Sequence, residues 1–226
     1  MPRRERVLLA WSGGKDSALA LHALAASAEF EVAGLLTTVT VDAAGIERIG
    51  VHGVRRELLD AQAAAAGLPL VPVPLPAGAS NAVYEERFAA ALAEPRHGGL
   101  RRIAFGDLFL QDIRDYRQRQ LAALGLSPLF PLWGRDTAAL AREFVARGFA
   151  ARLVCIDTEA LPADFAGRAF DRELLEALPP GVDPCGENGE FHTFVTAGPV
   201  LTRPVACRLG ELDVRGRFAY RDLLPG

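Results

Sequence analysis

The sequence predicts an α/β fold, in which a doubly wound and mostly parallel sheet is followed by a smaller C-terminal α+β lobe. Short apolar segments alternate with helical segments up to about residue 156, which is typical of parallel strands joined by helices on both faces. Beyond residue 160 the alternation stops, and a Pro/Gly-rich break at 179–184 leads to short strand candidates that run to Arg208. We therefore expect one domain over residues 1–135 and a second lobe over 136–226.

In the first domain, strands are expected at 7–11, 31–40, 70–75 and 102–106, with an extended piece at 128–132. Segment 31–40 is apolar almost throughout, as a strand buried on both faces would be. Helices are expected at 18–28, 53–66, 81–93 and 112–124. Gly67 and Gly125 end two of them, and Asn81 is a candidate N-cap. Residues 42–50 are expected to form a loop.

In the second lobe, an amphipathic helix is expected at 136–147, with Gly148 after its end. A strand at 152–156 continues the alternation, and residues 160–178 are expected to form helices or turns. Segment 185–195 is expected to be a loop that enters a strand.

The composition limits the classes of function. Half of the 226 residues are hydrophobic, and the net charge is −3, which disfavours a large nucleic-acid footprint. No apolar run is long enough to span a bilayer and no signal peptide is recognisable, so we expect a cytoplasmic protein without a membrane partner. Cys155, Cys185 and Cys207 form no CxxC pair, and we expect buried free thiols.

The hexapeptide SGGKDS, residues 12–17, lies between the first expected strand and the first expected helix. Such a junction places unpaired backbone N–H groups and the positive end of the helix dipole at one point. Gly13 and Gly14 allow close approach, Ser12 and Ser17 add hydroxyls, and Lys15 adds a cation. The pattern indicates an anion-binding turn, although it is neither GxxxxGK[ST] nor GxGxxG.

Asp16 is unfavourable beside phosphates unless a cation neutralises it, so the hexapeptide suggests Mg²⁺ between the loop and the phosphates. The alternative is a tight turn that carries Ser and Gly for structural reasons. A structural turn would need only the serine and the glycines. The full hexapeptide between an N-terminal strand and a helix is a more specific pattern, and it favours phosphate binding.

A second block, PCGENGEFHTFV at residues 184–195, places Glu187 and Glu190 three residues apart. Around Asn188-Gly189 they suit a turn that directs two carboxylates into a cleft. Alone, the block fits equally an exposed turn that enters a strand.

SGGKDS resembles the PP-loop, SGGxDS, of the ATP pyrophosphatases, which implies a Rossmann-like PP-loop (HUP-type) fold and ATP cleavage between the α- and β-phosphates. The second block resembles the GEGGEFET-type motif of the diphthine–ammonia ligase family. VHGVRRE (51–57), FGD (105–107), LGL (124–126) and PLW (131–133) also resemble that family, over roughly residues 7–204. Asn188 and His192 depart from the family motif, which suggests a subgroup with a different acceptor.

The resemblance implies an ATP-dependent amide ligase. In that family a carboxylate of diphthine, a modified histidine on an elongation factor that carries a trimethylammonium group, attacks the α-phosphorus. Ammonia then displaces AMP. The 226 residues leave no room for a glutaminase segment, so we expect free ammonia. The Ala/Arg-rich composition is typical of a GC-rich genome, and in a bacterium the carboxylate acceptor would be a different modified protein side chain or another carboxylate.

The resemblance also implies site residues. Lys15 is expected on phosphate, Asp16 on Mg²⁺ and Glu190 as a base on ammonium, and these three form the catalytic set. Nucleotide-binding residues are expected to be Ser12, Gly13, Gly14, Lys15, Asp16, Ser17, Thr37 and Thr38. Acceptor contacts are expected to be His52, Asp107, Glu187, Glu190 and His192.

Each of these residues has a plainer alternative. Thr37 and Thr38 can be ordinary strand threonines, Asp107 a helix or loop cap, and each histidine a surface residue or one with satisfied hydrogen bonds. Arg114 and Arg117 fit either a phosphate contact or a solvated helix face. Trp133 is expected in the core or in a pocket wall.

Two other functions stay open: a PP-loop tRNA-modifying enzyme, and a non-catalytic ATP-binding protein. Thiolation generally needs a cysteine pair, which the spacing of the cysteines does not provide. A homodimer also stays open.

Overall fold

The computed structural model describes residues 4–50, 52–94 and 98–226; Val51 of the VHGVRRE motif lies outside them. Ten strands and six α-helices follow in chain order within these ranges, with one short 3₁₀ turn at Ala163–Phe165. None of the helices in the described ranges is both long and apolar enough to cross a membrane. The strands are β1 Glu5–Ala10, β2 Phe30–Val41, β3 Glu47–Ile49, β4 Leu70–Leu75, β5 Arg102–Ala104, β6 Ser127–Leu129, β7 Ala150–Asp157, β8 Phe191–Ala197, β9 Cys207–Arg215 and β10 Phe218–Pro225. The helices are α1 Lys15–Ala25, α2 Arg56–Ala66, α3 Asn81–Leu92, α4 Gln111–Ala122, α5 Thr137–Ala146 and α6 Arg172–Ala177.

The first sheet is six-stranded and mostly parallel, which confirms the predicted fold class. Strand β1 is central: β2 and then β4 lie on one side of it, and β5 and then β6 lie on the other. The chain therefore changes direction across the sheet between β1 and β5, and ligands bind at such a point in open α/β sheets. The expected loop 42–50 instead contains β3, which pairs antiparallel with the end of β2.

The helix ends follow local capping chemistry. Gly67 ends α2 in the left-handed conformation, as predicted, and the Asp136 side chain accepts a hydrogen bond from the Ala139 amide at the start of α5. The predicted N-cap Asn81 is wrong by one residue. The Ser80 hydroxyl accepts from the Val83 amide, so Asn81 is the first helical residue of α3.

The second sheet is antiparallel, in the order β8-β7-β10-β9. Strand β7 corresponds to the strand expected at 152–156, but it does not continue the parallel sheet, because it pairs antiparallel with β8 and β10. The short strands expected between β8 and Arg208 are absent, since residues 198–206 form no strand; the sheet is completed instead by the long hairpin β9–β10, which extends beyond Arg208. The two sheets lie on either side of residue 135, where we propose the domain boundary.

One core connects the two sheets. Val7 and Leu9 of β1 belong to a cluster that also contains Phe144 of α5 and Phe191 and Phe194 of β8. Leu8, between Val7 and Leu9, belongs to a smaller cluster on the other face. Strand β1 is thus buried on both faces, as its continuous apolar sequence requires. Among the cysteines, Cys155 and Cys185 are buried free thiols as expected, whereas Cys207 is only half-buried.

Gly106 lies where the end of β5 meets the start of α1, and a Cβ built on it would stand 2.9 Å from the carbonyl carbon of Asp16. Backbone cannot move aside as a flexible side chain can. We expect Gly106→Ala to lower the free energy of unfolding by about 1–3 kcal/mol, measured by urea denaturation.

Gly50→Ala is the matched control, since a Cβ there meets nothing within 4 Å. It should change the free energy of unfolding by less than about 0.5 kcal/mol. Equal effects of the two substitutions would contradict the close approach at Gly106.

Candidate active site

A cavity of about 530 Å³ lies at the carboxyl ends of β1, β2 and β5, where the chain changes direction across the sheet. Its volume is in the range of small-molecule and cofactor pockets. The described residues that line it include Ser12, Gly14, Lys15, Asp16, Ser17, Thr37, Thr38, His52, Asp107, Arg117, Glu187 and His192. The structure thus brings together most of the site residues that the sequence predicts.

The hexapeptide forms a tight turn between β1 and α1. Gly13 has a φ of +77°, a conformation that favours glycine, and Gly14 is the extended residue before the helix. The Ser17 hydroxyl donates to the Gly14 carbonyl at 2.9 Å, and the Ser12 hydroxyl lies 3.4 Å from that of Ser17. The two predicted hydroxyls therefore lie together at the amino end of α1.

The turn is held by a buried amide that the sequence analysis did not name. Gln62 of α2 accepts a hydrogen bond from the Trp11 indole at 2.9 Å through Oε1. Its Nε2 donates to the carbonyls of Gly13, at 3.0 Å, and Val195. A lone glutamine in an Ala-rich helix gives no sequence signal for this role.

Strand β8 of the second sheet also binds the turn directly. The Val195 amide donates to the Gly13 carbonyl at 2.8 Å, and the Lys15 amide donates to the Thr193 hydroxyl at 3.0 Å. A Cβ on Gly14 would approach the Thr193 carbonyl to 3.0 Å. The shape of the turn therefore depends on both lobes.

Lys15 is buried, and its ammonium donates to the Asp16 carboxylate at 2.8 Å and to the Cys185 carbonyl. It also lies 5.4 Å from the Phe191 ring centre. Burial lowers the pKa of Lys15, but Asp16, Cys185 and Glu187 outweigh it, so that the net shift is upward and the ammonium stays charged. In this structure Lys15 joins the turn to the second lobe, and its contact with a phosphate stays a prediction.

Three carboxyl groups share the cavity: Asp16, Asp107 and Glu187. Burial raises the pKa of all three; Asp16 raises that of Asp107 further, and Asp16 and Asp107 raise that of Glu187, which reaches about 7. Lys15 opposes the shift at Asp16, and Arg117 opposes the shift at Asp107. The cavity therefore carries an excess of negative charge that a cation would relieve.

The carboxylates fit a magnesium ion. Asp16 Oδ1 and Asp107 Oδ2 are buried without a hydrogen-bond partner. No group of three or more His, Cys, Asp or Glu residues is arranged for a metal within the described ranges. Mg²⁺ commonly takes only one or two protein carboxylates and completes its shell with phosphate and water, so two free oxygens beside a phosphate loop suffice.

The two glutamates of the GENGE segment have different positions. Glu187 lines the cavity, and its Oε1 accepts from the Leu108 amide at 2.7 Å. Glu190 is not among the described residues that line the cavity; its Oε1 accepts from the Asp183 amide and from the Asn188 side chain. Glu190 thus closes the loop that presents Glu187. Its Oε2 is buried without a hydrogen-bond partner, and its contact with ammonium or an acceptor stays a prediction.

His52 and His192 form one wall of the cavity, with ring centres 4.5 Å apart. Burial lowers the pKa of His52 to about 4, with a further decrease from Lys15. Burial, His52 and Lys15 hold the pKa of His192 well below its usual range. Both imidazoles are therefore uncharged at neutral pH. They lie together in the cavity lining, and their contact with an acceptor stays a prediction.

Of the remaining candidates, three line the cavity and two are not among its described lining residues. Thr37 and Thr38 line the cavity, and the Thr37 hydroxyl is buried without a partner. Arg117 also lines it and lies over the Phe105 ring at 4.8 Å, whereas Arg114 lies over Trp133 at 4.5 Å. Trp133 is half-buried, packs on Phe130 and does not belong to the described lining.

Two family models match this chain. Residues 5–127, more than half of the chain, match the diphthamide synthase N-terminal domain, and residues 136–215 match the diphthamide synthase C-terminal domain. The chain belongs to the diphthamide synthase family. This confirms the resemblance carried by SGGKDS and GENGEFHTF.

Curated relatives in the diphthamide synthase family match part of the chain. A diphthine–ammonia ligase of Danio rerio is 31% identical over 119 residues, which cover 49% of this chain and 46% of the relative. That of Homo sapiens is 28% identical over 104 residues, covering 43% and 38%. The matched part thus spans less than half of either relative.

A solved structure from Methanocaldococcus jannaschii, described as a predicted subunit of tRNA methyltransferase, is 19% identical to this chain. It covers 86% of this chain and 97% of its own, with a TM-score of 0.42. A likeness at that score carries no argument about function.

Gln62→Leu should lower the free energy of unfolding by about 2–4 kcal/mol, because it leaves the Trp11 N–H and two buried carbonyls short of a partner. Urea denaturation measures this change. The control is Gln120→Leu: Gln120 is also buried, but neither polar atom of its amide has a hydrogen-bond partner. That substitution should be neutral or stabilising, and similar losses at both positions would contradict the role of Gln62.

Glu187→Gln should change how the free energy of unfolding depends on pH. The native pKa of Glu187 is about 7 against an ordinary 4.5, so the native state binds this proton more tightly than the unfolded chain does. The resulting stability is fully present below pH 4.5 and is lost as the pH rises to about 7. Subtracting the variant's free energy of unfolding from that of the wild type should give a difference that falls over this range. A level difference would contradict the burial of Glu187.

Proposed function

We propose that this protein is an ATP-dependent ligase that adenylates a carboxylate, releases pyrophosphate and then forms an amide with ammonia. The observation that carries the proposal is the pair of unpartnered carboxylate oxygens, on Asp16 and Asp107, beside the SGGKDS turn. Membership of the diphthamide synthase family and the matches to diphthine–ammonia ligases support it.

In the proposed reaction the turn at residues 12–17 binds the pyrophosphate portion of ATP through the hydroxyls of Ser12 and Ser17 and the amino end of α1. Asp16 and Asp107 would hold Mg²⁺, which supplies charge stabilisation for the departing pyrophosphate. Lys15 opposes the upward pKa shift that burial imposes on Asp16, and it fixes the loop at the Cys185 carbonyl. Thr37 and Thr38, at the far end of β2, lie on the side of the cavity where the nucleoside would bind.

The chemical steps balance without a further reactant. A carboxylate oxygen of the acceptor attacks the α-phosphorus, and the bond between the α-phosphorus and the bridging oxygen breaks to release pyrophosphate. The nitrogen lone pair of ammonia then attacks the acyl carbon, and AMP leaves with the former carboxylate oxygen. Ammonium must lose a proton to supply that lone pair, and the nitrogen releases a second proton to the departing AMP or to water as the amide forms. We assign the first proton to Glu187, which lines the cavity and has a pKa of about 7.

The acceptor contacts belong to the wall made by His52 and His192. Because both imidazoles are uncharged, this wall offers hydrogen-bonding atoms and ring faces but no charge for an acceptor group. His192 replaces an acid or polar residue of the family motif. We propose that this exchange adapts the pocket to a carboxylate acceptor other than diphthine.

Thiol chemistry of the kind used in tRNA thiolation is not favoured. Burial raises the pKa of Cys155 to about 11 and that of Cys185 to about 12. Both thiols stay protonated at neutral pH and are poor nucleophiles. Cys185 contributes its carbonyl to Lys15 instead.

The test uses ATP, Mg²⁺ and ammonium with a panel of carboxylate acceptors that includes an elongation factor carrying diphthine. We expect AMP and pyrophosphate in equal amounts, and only when both acceptor and ammonium are present. Asp107→Asn should lower kcat/KM for AMP formation by about 100-fold, whereas Asp112→Asn, on the exposed first turn of α4, should leave it unchanged.

Calorimetric titration with ATP and Mg²⁺ measures nucleotide binding without an acceptor. It therefore distinguishes a protein that only binds ATP from one that does not bind it. A non-catalytic nucleotide-binding protein would bind ATP but release no AMP with any acceptor. ADP as the product, or full activity of Asp107→Asn, would contradict the proposed cleavage and its site.

A further inference from the structure

Strand β9 is an open edge with an apolar surface. It ends the order β8-β7-β10-β9, and no strand within the described ranges pairs with its outer side. Three of the six large hydrophobic residues that are exposed among the described residues lie on it: Leu209, Leu212 and Val214. Exposed apolar edge strands are sites of pairing with another chain.

A β-bulge places these three side chains on one face. Leu209, Leu212 and Val214 lie opposite Leu223, Arg221 and Ala219 of β10. Two residues of β9, Gly210 and Glu211, lie between Leu209 and Leu212, whereas only Asp222 lies between their partners on β10. Because β10 residues two apart share a face and opposite residues point the same way, the three apolar side chains form one stripe. Without the extra residue, Leu209 and Leu212 would point to opposite faces.

The stripe continues a buried surface into solvent. Ala219 and Leu223 of β10 lie on the same face and are almost completely buried in the main core. That core ends at β10, and the next strand carries its apolar side chains uncovered. A further strand beside β9 would extend the sheet and cover them.

We propose that β9 pairs antiparallel with β9 of a second copy of this chain, which joins two four-stranded sheets into one across a two-fold axis. The charges of β9 are self-complementary in one register. In that register Leu209 lies opposite Leu212 of the second copy, and Arg208 lies opposite Asp213. Each such cross-strand pair, or rung, occurs twice because of the two-fold axis. Each rung joins residues of the same face, since the bulge is present in both copies.

Registers shifted toward Arg215 fit less well. A shift of one residue places Leu209 opposite Asp213, which lies on the other face. A shift of two residues places Arg208 opposite Arg215, and like charges directly opposite are destabilising. Asp213 already pairs with Arg215 on its own strand at 2.6 Å, but both side chains are largely exposed, and such pairs contribute little. Asp213 can therefore take a second cation from the other copy.

Analytical ultracentrifugation of the full chain tests the proposal. We expect the wild type to show a reversible monomer–dimer equilibrium below about 100 µM protein. Leu212→Asp should raise the dissociation constant at least about tenfold. Leu124→Asp is the matched control, because Leu124 and Leu212 are both 38% exposed and only Leu212 lies on β9; it should leave the equilibrium unchanged.

Charge reversal tests the register. R208D and D213R should each raise the dissociation constant about tenfold, since each places like charges on two rungs. An equimolar mixture of the two variants should restore dimers, because every rung of the mixed dimer then joins opposite charges. Circular dichroism confirms that each variant is folded. A monomeric wild type, a dimer that survives L212D, or single reversals that the mixture does not rescue would overturn the proposal.

Discussion

The amide of Gln62 holds the centre of this molecule together. Its three hydrogen bonds join the end of β1, the turn at Gly13 and strand β8, and each runs between buried groups. A buried amide with satisfied hydrogen bonds fixes geometry strongly, because losing any partner leaves a desolvated polar group. The same amide therefore fixes both the shape of the turn that we propose for phosphate and the position of strand β8 against it.

Charge balance in the cavity follows from that geometry. The turn places Asp16 beside Lys15, and Lys15 divides its ammonium between Asp16 and the Cys185 carbonyl. Asp107 and Glu187 share the same cavity, where Arg117 lowers the pKa of Asp107 and so opposes the effect of burial. Burial is the main cause of the raised pKa values of the three carboxyl groups, and repulsion between them adds to the shift at Asp107 and Glu187. A divalent cation complements this arrangement, which supports the proposed chemistry.

The two departures from the family motif act in different places. Asn188 donates to Glu190 and helps to close the loop that carries Glu187. His192 packs at a tilted angle against His52 in the cavity wall, where we propose that an acceptor binds. The first departure preserves the loop, and the second changes the surface that a substrate meets. The proposed difference in acceptor therefore rests on His192.

By itself the sequence determined the alternation of parallel strands and helices in the first sheet, the tight turn between β1 and α1, and the family, because these depend on local patterns of apolar, glycine and charged residues. It did not predict β3, the antiparallel partners of β7 or the different positions of Glu187 and Glu190. Pairing direction and side-chain neighbours are set by contacts between segments far apart in the chain, such as Gln62 with Val195. Only the tertiary structure brings such groups together, and burial there gives them pKa values and hydrogen bonds that no local pattern encodes.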